Sequence, residues 1–335
     1  MHLHDRRSLK QGASQALAHS RCDHKKLVLI YSASALGLTL LVTILDFILS
    51  EQIGNTGGLS GMGLRSILST AQVFLRVLQM IAIPFWEMGY FYCVLRMARR
   101  EICEPVELLQ GFRKFAPIFR WYLLRTFLYL AAAIVCFFLS NQIFALTPLS
   151  LPLQELMQPY TEEFYATGMV PVLDEATMST MMEAYIPMLI IFGILYLLAI
   201  VPITYLFRLS GFALLDLPKR GARIALRNSF RMMRGNCLAF FRLDLSFWWY
   251  YGLQALLSVV AYGDVLLPLL GISLPWSSSV SFFLFYLLFM AGQFALDLLI
   301  RNRVEVTYAL AYDSLHEPIK PEAETPQAPK NPWHN

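Results

Sequence analysis

Between His24 and His316 this chain of 335 residues has no histidine. All six imidazoles (His2, His4, His19, His24, His316 and His334) fall in the terminal segments. The interior therefore lacks the usual general base, and no His-Glu-x-x-His spacing exists to hold a zinc ion. Charge is scarce as well. Asp, Glu, Lys and Arg make up 15% of the residues against 57% hydrophobic ones, a balance outside the soluble globular range. Neither a Gly-x-Ser-x-Gly elbow nor a Walker loop occurs. The five cysteines (Cys22, Cys93, Cys103, Cys136 and Cys237) show no CxxC or other ligand spacing, so they read as small apolar fillers, with no metal site. A net charge of +4, spread over several segments, argues against nucleic acid as a partner. The expectation is a protein without a cofactor and without catalytic residues, which binds or handles something and is not an enzyme.

What the chain does have is long apolar runs, at about 27–49, 70–96, 119–146, 185–207, 238–262 and 280–300. Crossing about 30 Å of hydrocarbon takes roughly 20 helical residues, and each run is long enough. The cations sort around them. Six of the 27 Lys and Arg residues lie in the first 26 positions, seven in 96–125, eight in 208–242 and four from Arg301 onward. The stretch 147–183 carries six acids and no base. Basic loops stay cytoplasmic, so both ends are placed inside. The fold class expected is all-α: a polytopic membrane bundle of six transmembrane helices in three hairpins, with basic amphipathic helices at the interface. Residues 1–26 form a cytoplasmic lead, 27–316 the membrane domain, and 317–335 a proline-rich disordered tail. A glycine-rich turn (Gly54, Gly57, Gly58, Gly61 and Gly63) joins the first two helices.

Ionisable groups at membrane depth are costly and face a partner or a wet cavity. Gln72, Arg76, Gln79 and Glu87 share one face of the second helix. Asp46 lies near the depth of Arg76, and Arg125 near that of Glu87. Two interhelical ion pairs are expected, Asp46–Arg76 and Glu87–Arg125. They serve either to fix helix packing or to line a polar path for a solute or proton. Asp297 and Arg301, spaced i, i+4, read as an anchor near the inner surface.

The most regular local pattern is Arg220–Arg234. At 100° per residue, Arg220, Arg223, Arg227, Arg231 and Arg234 fall within an arc of about 80°, next to Ala222, Leu226, Phe230 and Met233. Such a helix lies in the interface with its apolar side down, its guanidinium groups meeting anionic lipid headgroups or an acidic protein partner.

Downstream, Ser229, Met233-Arg234-Gly235-Asn236, then Leu243-Asp244-Leu245-Ser246-Phe247 and Trp249 resemble the Ser-x-x-x-Met-(Lys/Arg)-Gly-Asn and Leu-x-Leu-Ser-Phe-x-x-Trp elements of a bacterial integral-membrane family of unknown function. Thr307-Tyr308-Ala309, Tyr312 and Leu315 are similar to its closing element. The resemblance covers about 200–316 well and implies a multi-pass protein of the bacterial plasma (inner) membrane, with no assigned activity. Physically the motif reads as a re-entry corner. Gly235-Asn236 ends the surface helix, Asp244 reaches an arginine of that helix, and Trp248, Trp249, Tyr250 and Tyr251 pack between helices. Lipid-headgroup or small-solute handling, including transport, leads the functional reading; a non-catalytic scaffold for a protein partner is the alternative.

Overall fold

A computed structural model describes residues 6–55, 62–168, 174–269, 271–272 and 278–316. The glycine turn at 57–61 and the tail from 317 lie outside them. In chain order the helices are α1 (Arg6–Ala18), α2 (His24–Asn55), α3 (Met62–Ala98), α4 (Gln110–Arg113), α5 (Phe115–Leu146), α6 (Leu151–Thr167), α7 (Glu175–Ala184), α8 (Ile186–Leu206), α9 (Ser210–Asp216), α10 (Ala222–Met233), α11 (Cys237–Leu245), α12 (Trp248–Ala261), α13 (Gly263–Leu269), α14 (Ser278–Leu296) and α15 (Asn302–Leu315). No strand occurs among the described residues. Five stretches, His24–Gly54, Gly63–Ala98, Phe115–Leu146, Ala176–Asp216 and Val280–Leu315, are long and apolar enough to cross a membrane.

The chain divides into two compact units, one of Met1–Ile118 with Leu209–Asn335 and one of Phe119–Arg208. In the first, α2 packs along α3, and α15 packs on both α1 and α3. Helix α1 buries Leu9, Ala13 and Ala16, an i, i+4, i+7 stripe that suits one neighbouring helix. Helix α15 buries eight residues, among them Val304, Thr307, Tyr308, Ala311 and Tyr312. Short α9 is buried from Ser210 to Leu215, its Phe212 ring lying between Phe91 at 5.5 Å and Tyr312 at 5.8 Å. The second unit joins α5 to α8 through Phe137–Phe192 and Phe144–Tyr185. Its α6 and α7 meet where the Tyr160 hydroxyl donates to Thr177 at 3.0 Å.

The expected helix over 238–262 is interrupted. Ser246 N and Phe247 N bond back to Leu243 O and Asp244 O at 3.0 and 2.8 Å, the tighter three-residue closure that ends an α-helix. Ser246 Oγ takes Leu243 O at 2.6 Å, a side-chain bond that competes with the backbone ladder. Lys10 Nζ on α1 then donates to Ser246 O at 2.8 Å and sits 4.0 Å above the Phe247 ring. Past the break, α12 and α13 run along α14 at close range. A Cβ on Gly263 would fall 2.7 Å from the Phe285 ring, and one on Gly292 would fall 2.4 Å from a Leu257 methyl.

Candidate functional site

Helix α14 continues beyond the expected end at Ile300. It widens into one π turn, Asp297–Arg301, and proceeds as α15. A π turn inserts one residue into the helical repeat, and such turns recur at functional positions. Asp297 is 3% exposed and accepts from Ser32 Oγ at 3.1 Å, Gln293 Nε2 at 3.1 Å and Arg301 Nη1 at 3.2 Å. Arg301 Nη2 reaches Tyr31 Oη at 3.0 Å and Glu87 Oε1 at 3.5 Å. The guanidinium lies 4.7 and 5.2 Å from the Tyr31 and Tyr90 rings, which stack on each other at 4.4 Å, cation–π contacts that suit arginine's planar cation. Tyr90 donates to Asn302 Oδ1, and Asn302 Nδ2 donates to His24 O, each at 2.8 Å. Arg301 Nε is buried without an acceptor.

Arg301 is thus a largely buried junction of α2, α3 and α14, not a surface anchor, and it holds Glu87. Arg125, in the second unit, donates from Nε to Tyr129 Oη at 2.8 Å and lies 5.4 Å from the Trp121 ring. Two carboxylates around one guanidinium leave one negative charge in excess, and Glu87, 42% exposed, is its accessible member. Further along the same two helices, Arg76 Nη2 meets Asp46 Oδ2 at 2.7 Å and Gln72 Nε2 donates to Asp46 O at 3.0 Å. Gln79 is half-buried on the same helix. At the far end of α3, Arg99 holds Asp216 and Asp313, each at 2.7 Å, and the hydrogen-bonded Asp216 carboxylate raises the Arg99 pKa well above its ordinary value.

The motif residues form a corner. Ser229 is fully buried. Gly235 takes φ +92° just after α10, the left-handed conformation that favours glycine at a helix end, and Asn236 Nδ2 donates to Met232 O at 2.8 Å. Tyr308 on α15 donates to Asp244 and shares its hydroxyl with Tyr251 at 2.7 Å. Ser246 forms the break described above. Trp249 and Trp248 are 41% and 68% exposed, so they face outward instead of packing between helices.

Only Arg223, Arg227 and Arg231 of the expected row stand on α10. Arg220 belongs to the 3-10 turn Pro218–Arg220, set off by Gly221 at φ +82°, and Arg234 is extended at the helix end. The 100° spacing therefore does not run through all five, and the apolar flank has a different neighbour as well. Helix α10 buries Ala222, Ala225, Leu226, Ser229 and Met233 as it packs on α9. Ile224 and Phe230 remain 42% exposed. Arg220, Arg223, Arg227, Arg231 and Arg234 are all exposed. This helix is mounted on its own protein, with its cations turned away from α9.

Sequence reasoning missed Tyr31, Tyr90, Asn302 and the burial of Arg301. The available signal was Asp297, the sole charged residue in the 280–300 run, immediately followed by Arg301 and Asn302. The profile of a family described as "Protein of unknown function (DUF975)" matches residues 21–316. No curated protein and no solved structure matches the chain.

Proposed function

The chain belongs to the DUF975 family of proteins of unknown function, and on that premise we propose that it is a six-span protein of the bacterial plasma membrane that binds anionic lipid headgroups at the inner surface. The five long apolar stretches supply five crossings. The sixth is α12 with α13, whose 22 or so residues rise about 33 Å. Helix α11, with Arg242, Asp244 and the Lys10 contact, then lies at the surface. Both ends are cytoplasmic in this arrangement, in keeping with the distribution of cations.

One observation carries the headgroup reading: the apolar stripe of α10 is covered by α9, so the helix needs no membrane to bury it, and its exposed Arg223, Arg227 and Arg231, with Arg220 and Arg234 exposed at its two ends, form a cationic cluster. Each cation near an anionic surface contributes about 1 kcal/mol, and five in one cluster combine. Ile224 and Phe230, exposed beside the row, can enter the headgroup boundary. The packing around Arg301 favours a structural role for the buried ions over a transport path. An acidic protein partner would suit the same row, and the test separates the two.

Native mass spectrometry of gently extracted protein should show retained phosphatidylglycerol-type lipid. Replacing all five arginines with glutamine should reduce that retention at least about tenfold, as expected from the loss of several such contacts. Undiminished anionic lipid on the variant contradicts the reading. A stoichiometric acidic protein in place of lipid supports the scaffold alternative.

A further inference from the structure

Three cysteines that are distant in sequence meet in the first unit. Cys93 stands on α3, Cys103 in the connection that follows it, and Cys22 between α1 and α2. Glu107 joins them from the 3-10 turn Pro105–Leu109. The Sγ atoms of Cys93 and Cys103 and a carboxylate oxygen of Glu107 all lie within 4.8 Å of one another. Close by, the Cys22 thiol donates to Glu101 O at 3.4 Å. Cys93 is 0% exposed, and Cys22 and Cys103 are 6% exposed.

Two further features mark a built site. Glu107 Oε1 is held by Arg96, whereas Oε2 is shut off from solvent with no hydrogen-bond partner. A sequestered carboxylate oxygen without a donor costs free energy unless something cationic meets it. The turn carrying Cys103 and Glu107 is also pressed onto α3 backbone to backbone. A Cβ at Gly89 would fall 1.8 Å from Leu108 O, and one at Gly111 would fall 1.8 Å from Phe85 O. Only glycine permits that approach, and it sets Cys103 and Glu107 against Cys93.

We propose that Cys93, Cys103 and Glu107 bind one thiophilic divalent cation of the zinc type. Sulfur and carboxylate oxygen form a natural donor set for Zn²⁺. With Zn–S bonds of about 2.3 Å, tetrahedral sulfurs stand about 3.8 Å apart, so atoms already within 4.8 Å reach bonding geometry by small side-chain rotations. The entering ion displaces the proton of each ligating thiol to solvent, and no electron is transferred. Arg96, beside Glu107, offsets part of the excess negative charge. The site is separate from the arginine row and stands whether or not that row binds lipid.

Cobalt(II) is the probe. Full-length protein, kept reduced and anaerobic in detergent, should bind one Co²⁺ per chain and show a near-ultraviolet thiolate-to-cobalt charge-transfer band, which added Zn²⁺ abolishes. Cys103→Ser and Cys93→Ser should each lose most of the band, while the Cys136→Ser/Cys237→Ser double variant, altered outside the cluster, should retain it. A folded, reduced wild-type chain without the band overturns the proposal, as does a band that survives both single variants. If those variants fail to fold, the wild-type intensity decides, since it scales with the number of bound thiolates: two or more support the site and fewer overturn it.

Discussion

Replacing Arg301 with methionine would leave Asp297, 3% exposed, without its cation while Ser32 and Gln293 still hydrogen-bond to it. Breaking a buried ion pair from one side costs about 3–5 kcal/mol. Arg301→Met should therefore lower the melting temperature in detergent clearly, and adding Asp297→Asn should restore most of the loss. Equal stability of Arg301→Met and wild type would contradict the junction role. At this scale the sequence revealed which groups are costly at depth but not always their partners. Asp46 and Arg76 lie on adjacent helices at matching depth, so their meeting could be read from spacing. Glu87 was matched by depth with Arg125, whereas its contact with Arg301 depends on how α14 packs against α3, which no local pattern encodes. The Cys22, Cys93 and Cys103 cluster was illegible for the same reason: three separate segments must fold before the thiols become neighbours.

Among the elements, glycines decide which contacts can tighten. Gly89 faces a backbone carbonyl 1.8 Å from where a Cβ would sit, whereas Gly292 faces the methyl of a flexible leucine at 2.4 Å. Overpacking costs about 1–3 kcal/mol. Gly89→Ala should fall at the upper end of that range because a carbonyl cannot rotate away, and Gly292→Ala at the lower end. Thermal unfolding of the two variants side by side measures the difference; a reversed order would show that the turn at Pro105–Leu109 yields more readily than supposed. The long helices were legible because unbroken apolar runs in a chain with few charges leave little choice. The break at Ser246–Phe247 was not, since a serine bonding to its own helix and a lysine from α1 produce it, and neither disturbs the hydropathy pattern. The three arginines on α10 could be read from their 100° periodicity, but what covers the apolar flank could not, because α9 is too short to show a period of its own.

For the molecule as a whole, the proposed six-span arrangement makes a direct statement about sides. A reporter tag inserted near residue 165, on α6, should report the outer compartment, and one near residue 228, on α10, the inner. Both on one side would refute the topology and, with it, the placing of the arginine row against inner-leaflet lipid. The cation distribution across the chain can be read at this scale without any knowledge of packing, and the assignment of sides that it proposes is what the tags test.

The extra residue in the turn at Asp297–Arg301 bears on which way the far end of the same rod faces. A helix that keeps one repeat throughout ties the face it shows to acyl chains to the face it shows to its own interior further on. With one residue inserted, the two halves are out of phase by about 100°. Tyr308 and Tyr312 are thereby brought round to Asp244 and Asp216, which the repeat of α14 carried straight on would have left about a quarter-turn away.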